Sequence, residues 1–249
     1  MIKDLDKIFK ITNLYKAKYI YIYSDFRHFF EFYKKNSRKK VDILLELFTK
    51  KGITILIPSF TYTTNGKFYL NKTKSKVGFL ANYVLQNKKI KSCRSEHPLF
   101  SFISIGKNSK IVQKIGKAAF GKNSLHARLY GKKCSFLYFF RTLKDGNTLI
   151  HHIESIFKAN YRFEKKFSTK VYNGKKYIGK NYSAYVKKNV SDKRYFFNFK
   201  KVLKKLANKK YITINKYKES QIAVLEYDDF YNDLKKLYKL DNKIFINCK

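Results

Sequence analysis

Residues 135–140, Ser-Phe-Leu-Tyr-Phe-Phe, form an almost wholly apolar run between polar flanks. So short a run, without the alternation of a half-solvated strand, belongs to a strand covered on both faces, and it requires helices above and below it. The rest of the chain supplies them. Residues 19–23 and 53–58 are β-branched and aromatic runs bounded by turn signals. Between them, 40–49 carries Val41, Leu44, Leu45, Leu47 and Phe48 at helical spacing, which makes a β-α-β unit. Residues 77–85 predict a second amphipathic helix and 100–105 a further strand. Past Tyr161 the chain turns polar and tyrosine-rich as far as Val186, a hairpin pattern with Asn173-Gly174 as one turn. A helix, a strand and a helix then finish the chain, with 222–225 as the last strand. The expected fold is α/β, a three-layer α/β/α arrangement around a central, mostly parallel or mixed sheet. It is expected to be one domain over 1–249, with the tyrosine-rich hairpin region at about 160–190.

Composition narrows the class. A chain of 249 residues, 44% hydrophobic, can bury a sizeable core. No stretch approaches the roughly 18–20 consecutive apolar residues of a membrane span. The opening Met-Ile-Lys-Asp-Leu-Asp-Lys lacks the apolar core and small-residue cleavage site of a secretory signal, so a cytoplasmic location is expected. Cys93, Cys134 and Cys248 are odd in number and scattered, without a CxxC pair or nearby histidines. That argues against a disulfide framework and against a zinc site, so no metal is expected. Cys93 beside Arg94 is a weak candidate nucleophile. The net charge of +39 and the many aromatic residues open a nucleic-acid reading. Yet lysine, asparagine, isoleucine, phenylalanine and tyrosine are abundant together while tryptophan is absent and proline occurs twice, the bias of an AT-rich coding sequence. The basic tracts 200–206 and 234–240 place apolar residues at helical spacing, so they read as amphipathic helices with lysine outside. No specific nucleic acid is expected as partner, and the basic surface is suited to steering polyanionic small ligands.

The chemistry concentrates at 146–154, Gly-Asn-Thr-Leu-Ile-His-His-Ile-Glu. Asp145-Gly146 is a turn signal and Asn147 or Thr148 a good helix N-cap. With Ile150, Ile153 and Phe157 as the buried stripe, His151, Glu154, Ser155 and Lys158 share a polar face, while His152 points elsewhere. A histidine with a carboxylate one turn on is the arrangement a general base needs; the alternative is a surface His-Glu pair. His126 and His28 read as packing or surface residues. His97 before Pro98 either braces its loop or contacts a ligand.

Four segments resemble signatures of the aminoglycoside 3-N-acetyltransferase family. Lys-Ser-Cys-Arg-Ser-Glu-His-Pro-Leu-Phe-Ser-Phe at 91–102, with Gly106 following, resembles its Arg-Ser-x-His-Pro-x-x-Ser motif. The pattern from Asn147 resembles Asn-Thr-x-x-His-x-x-Glu. Residues 120–130 resemble Gly-x-x-Ser-Pro-x-x-x-Leu with Leu125 in place of proline, and 52–61 a Gly-Thr-Leu-x-x-Pro-Thr-Phe-Thr strand and loop. Two departures stand out: Tyr23 and Asp25 replace the histidine and second serine of a Val-His-Ser-Ser-Leu strand end, and 27–33 replaces a glycine-rich loop. These features look more like the branch that acylates amino groups on nucleotide-linked sugars for surface glycans. An aminoglycoside acceptor, a nucleic-acid-binding protein and a catalytically dead relative are the alternatives.

The resemblance implies an N-acyltransferase with acetyl-CoA or another acyl-CoA as co-substrate and an amino sugar as acceptor. It implies direct transfer with His151 as base and Glu154 or Asp25 orienting it. Arg94, Ser95 and Ser124 become candidates for coenzyme A, and Asp25, His97 and Thr61 for the acceptor. Backbone N–H groups near Ser59 to Thr61 are candidate oxyanion donors.

Overall fold

In the computed structural model, residues 2–32, 37–188, 191 and 193–247 are described; Cys248 and Tyr33 lie outside them. Strands β1 (Tyr19–Ser24), β2 (Thr54–Pro58), β4 (Ser92–Arg94), β5 (Phe102–Ile105), β6 (Cys134–Phe139), β11 (Ile212–Tyr217) and β12 (Ser220–Glu226) make a seven-stranded sheet, ordered β11-β12-β6-β1-β2-β5-β4. Its centre is parallel, β6 and β2 flanking β1, and its wings are antiparallel. The sheet is therefore mixed, as expected.

Alternation along the strands sorts the core into two layers. Tyr19, Tyr21, Tyr23, Phe136 and Tyr138 face one side, against α6 (Leu149–Ile156), α7 (Phe199–Leu206) and α8 (Tyr227–Leu240). Ile20, Ile22, Leu137 and Phe139 face the other, against α1 (Ile2–Ile11), α2 (Phe26–Phe32), α3 (Ser37–Thr49) and α4 (Phe79–Gln86). Residues 134–139 are buried at every position, which is the two-sided coverage their apolar run demanded. On α7, Phe199, Val202 and Leu206 are buried and the lysines lie outside that stripe.

Several elements differ from the sequence expectation. The segment after β1 is helical: Asp25 Oδ1 accepts the Arg27 N–H at 3.0 Å, capping α2, and Phe26 and Phe29 plug into the core. Strand β5 begins two residues later than expected, because 99–101 bends to pack on the β2 loop through Ser59 N–H to Ser101 O and Thr61 N–H to Leu99 O. The C-terminal part carries two antiparallel strands where one was expected, β11 and β12, joined by a turn at Lys218 with φ +54°.

The tyrosine-rich region forms two small sheets. β7 (Arg162–Phe167) pairs antiparallel with β10 (Tyr182–Lys187). β8 (Lys170–Asn173) and β9 (Lys176–Gly179) turn at Gly174, φ +61°, and β8 also pairs with β3 (Lys67–Tyr69), a partner more than 100 residues upstream. Among the described residues no helix is long and apolar enough to cross a membrane.

Candidate active site

The parallel strands β1 and β2 end together, and α6 starts above them. Between these ends lies a cleft of about 400 Å³, lined by Tyr23, Pro58, Phe60, Thr148, His151 and others. This is where ligands gather in open α/β sheets.

The start of α6 is fixed from below. Asn147 Oδ1 accepts the Leu149 N–H at 2.8 Å, so Asn147 supplies the capping side chain. The Thr148 side chain makes no cap bond. Its hydroxyl joins a buried network instead, 2.9 Å from Tyr21 Oη, 2.8 Å from Tyr23 Oη and 3.1 Å from His126 Nε2. Tyr227 Oη donates its single proton to His126 O, so it accepts from His126 Nδ1. His126 Nε2 then accepts from Thr148, whose lone pairs accept Tyr21 and share the Tyr23 proton with Asn147 Oδ1, 3.3 Å away. Tyr23 Oη also accepts the Thr148 N–H at 3.0 Å. Tyr23 thus ties β1 to the helix that bears His151. Gly146 (φ +90°) is needed at the turn: a Cβ there would stand 2.6 Å from Phe197, whose ring packs edge-on against His151.

His151 is partly open to the cleft, and Glu154 is completely buried beneath it. The ionised carboxylate only accepts, so His151 Nδ1–H donates to Glu154 Oε2 at 2.7 Å and Nε2 is left as the basic nitrogen. Tyr161 donates to Glu154 Oε1 at 3.0 Å. Arg162 Nε stands 2.8 Å from Oε2, off the N–H axis, an ion pair by proximity. Arg162 Nη1 donates to Tyr185 O at 3.2 Å. Burial works to raise the Glu154 pKa, but the His151 hydrogen bond and charge, followed by Arg162, outweigh it and hold the carboxyl below its ordinary range. Tyr161 and Arg162 were invisible in the motif, since they arrive from the entry to β7. The one signal was an arginine in a chain whose basic residues are overwhelmingly lysine.

The adjacent His152 is on the other side of the helix and has no exposure. Its Nδ1 accepts the Gly121 N–H at 3.2 Å and touches Ser124 Oγ at 3.1 Å. Burial pushes its pKa down to about 4.

The remaining sequence candidates are dispersed. Asp25 is paired with Arg27, Nη2 at 2.5 Å, and lines a neighbouring depression with His28 and Gln221, which shares Arg141 and Asp145 with the cleft but does not include His151. Arg94 is buried; its guanidinium donates to Leu70 O, Thr73 O, Ser59 O and Ser101 Oγ and lies over the Phe68 ring. Burial lowers its pKa to about 10. Ser95 Oγ accepts the Phe102 N–H.

His97 Nδ1 accepts from Leu99 and Phe100 N–H, so Nε2–H donates to Ser183 O at 2.9 Å, stapling its loop to β10. Burial pushes its pKa down to about 4. Thr61 Oγ1 donates to Pro98 O. Ser124 caps α5 (Leu125–Leu129), accepting from Ala127 N–H. These residues knit loops together. The Ser59 and Thr61 N–H groups, two of the expected oxyanion donors, are engaged with Ser101 O and Leu99 O. Cys93 Sγ is 3.6 Å from Ser109 Oγ, and no group of three His, Cys, Asp or Glu side chains among the described residues is placed to hold a metal.

Behind Phe120, whose ring stands 5.6 Å from that of His151, opens a second cavity of about 920 Å³. Lys117, Lys122 and Lys158 line it with Phe163 and Tyr231.

The chain is thus a three-layer α/β/α protein with a buried carboxylate behind a cleft histidine. A sequence profile described as aminoglycoside 3-N-acetyltransferase matches residues 24–239, so the chain belongs to that family and is an N-acyltransferase. Solved structures share the fold. AAC-VIa bound to sisomicin is 13% identical, with 96% of this chain and 97% of that one covered and a TM-score of 0.74. AAC-IIIb in binary complex with CoASH is 12% identical, with the same coverages and TM-score 0.74. The YokD protein from Bacillus subtilis is 15% identical over 91% and 88%, TM-score 0.67. No curated protein matches significantly.

Proposed function

We propose that the protein transfers an acyl group from acyl-coenzyme A to the amino group of an amino sugar, nucleotide-linked and destined for a surface glycan, with His151 as general base. The observation that carries this is His151 Nδ1 held on the buried Glu154 carboxylate at 2.7 Å, at the mouth of a cleft at the carboxyl ends of β1 and β2. Family membership supplies the reaction class. A relative of the same fold holds CoASH, and the lysine-lined second cavity suits a long polyanionic co-substrate.

The amine nitrogen attacks the thioester carbonyl carbon as Nε2 of His151 takes its proton, and the carbonyl π pair moves onto oxygen. Collapse breaks the C–S bond, and the coenzyme A thiolate recovers the proton from the imidazolium. The amide forms with atoms and charge balanced. Glu154 steadies the imidazolium, and Tyr161 and Arg162 keep Glu154 ionised and in place, so these three are positioning residues. Asp25, engaged with Arg27, is less suited to orient the ring than Glu154.

A second reading, an aminoglycoside as acceptor, has support from the sisomicin-bound relative. The deciding experiment is thiol release from acetyl-CoA with amino-sugar and aminoglycoside acceptors, in the parent and in His151→Asn. We expect loss of about two to four powers of ten in kcat in the variant, with acetyl-CoA affinity by calorimetry little changed. Equal turnover by both proteins would end the general-base assignment.

A further inference from the structure

We propose that Arg141 and Lys187 form an anion-binding subsite in the main cleft that selects an amino sugar carrying a phosphate over a polycationic acceptor. The proposal rests on the acyl-transfer reading of that cleft and adds which charge its acceptor bears.

The cleft is lined by three permanent cations, Arg141, Arg162 and Lys187, and by one carboxylate, Asp145. Arg162 is matched by the buried Glu154. Arg141 places only its Nε on Asp145, at 3.2 Å, and its guanidinium carbon lies 5.9 Å from the Tyr23 ring. The two terminal nitrogens of its fork have no protein acceptor among the described residues. That fork matches two oxygens of a phosphate. Lys187 has its Nζ 5.0 Å from the Phe196 ring and no carboxylate in ion-pair range among the described residues. Burial is the main reason the Lys187 pKa is lowered, with the Arg162 charge acting the same way and the Glu154 charge against it, so the ammonium is partly desolvated and an incoming anion would offset that loss.

A polyammonium drug would meet the opposite situation. Its counter-charge would have to come from Asp145, which already serves Arg141, and each further ammonium would face uncompensated positive charge in a partly desolvated cleft. A sugar phosphate presents one amine to His151 and its anion to Arg141 and Lys187. The anion also gives the cleft an orienting contact separate from the reacting nitrogen, the kind of remote binding that positions a reacting group.

The test compares acceptors that differ only in the phosphate, glucosamine and glucosamine 1-phosphate, with sisomicin as the polycation, by thiol release from acetyl-CoA on the full chain. Uridine diphosphate is titrated separately by calorimetry, since the chain has no tryptophan to report binding. We expect kcat/KM at least tenfold higher for the phosphate than for glucosamine, carried by KM, with sisomicin poorest. Arg141→Gln and Lys187→Gln should each erase most of that preference and weaken uridine diphosphate binding about tenfold, while Lys187→Arg should retain both. Parity of the two glucosamines, a preference for sisomicin, or uridine diphosphate binding indifferent to both substitutions overturns the subsite. Acetylation that proceeds while uridine diphosphate fails to bind removes the subsite and spares the transfer reading. Uridine diphosphate binding that depends on Lys187, with no turnover of any acceptor, removes the transfer reading and keeps the subsite.

Discussion

Replacing Arg162 with methionine tests how the site is held together. Glu154 has no exposure, and the substitution removes its permanent counter-charge while leaving the Tyr161 and His151 hydrogen bonds. An uncompensated buried carboxylate typically costs about 3–5 kcal/mol once its partner is removed. With about 2–4 °C per kcal/mol for a domain of this size, the melting temperature should fall by roughly 10 °C. The companion variant Glu154→Gln removes the charge that is left unpaired, so Arg162→Met combined with Glu154→Gln should be more stable than the two single losses added together, by about 2 kcal/mol or more. Urea titrations of the four proteins give that coupling directly. Turnover should fall with Arg162→Met by up to about a hundredfold, because a carboxylate that shifts no longer aims Nε2 of His151 at the amine. Additive losses, or a loss under about 1 kcal/mol for Arg162→Met, would show that the ion pair does not hold Glu154.

Three further outcomes follow from the same contacts. Burial pushes His97 and His152 from the ordinary 6.5 down to about 4, and lowers His126 in the same direction. The unfolded chain therefore binds protons that the native one refuses. Stability is complete above pH 6.5 and should drop as pH falls toward 4, by about 3 kcal/mol for each of His97 and His152, which urea midpoints at pH 7, 6 and 5 would follow. His152→Leu should cost about 1–3 kcal/mol by stranding the Gly121 N–H, yet change kcat of the folded protein less than tenfold; a dead but fully stable variant would reverse the roles of the two histidines. Asp25→Ala should lose about 1 kcal/mol with its helix cap and affect kcat far less than Glu154→Gln, whereas equal kinetic losses would make Asp25 the orienting carboxylate.

The sheet was legible where the pattern was local. The two-sided burial of 134–139, the β-α-β unit and the phase of α6 all follow from periodicity within a few turns. Pairings set by distant contacts were not. β3 joins β8 across about 100 residues, and a three-residue strand carries too little alternation to announce itself. The helix over Phe26–Phe32 was hidden because its cap, Asp25, also reads as a turn-forming or ligand-facing aspartate. In the site, the His151–Glu154 pair was readable because both lie on one helix face. The partner of Glu154 was not, since Arg162 comes from a different element and nothing in its own neighbours marks it.

The same distinction explains why so many motif residues sit away from the cleft. Arg94, Ser95, His97 and Ser101 join β4 and β5 to the β2 loop, to the β3–α4 connection and to β10 through bonds that end almost entirely on backbone groups. Such bonds hold loops whose backbone has no sheet or helix to satisfy it. The loops in turn place Phe60 and Phe100 beside the cleft and the second cavity's wall at Phe120. The 147–154 motif does for α6 what that loop motif does for the walls: Asn147 and Thr148 fix the helix start to β1, and Glu154, one turn beyond His151, fixes the ring to β7. His151 is then restrained through Nδ1, and Nε2, on a ring that lines the cleft, has no hydrogen-bond partner among the described residues. Thr148 also lines the cleft, so Thr148→Val should lower kcat in the thiol-release assay by loosening the helix start that carries the base.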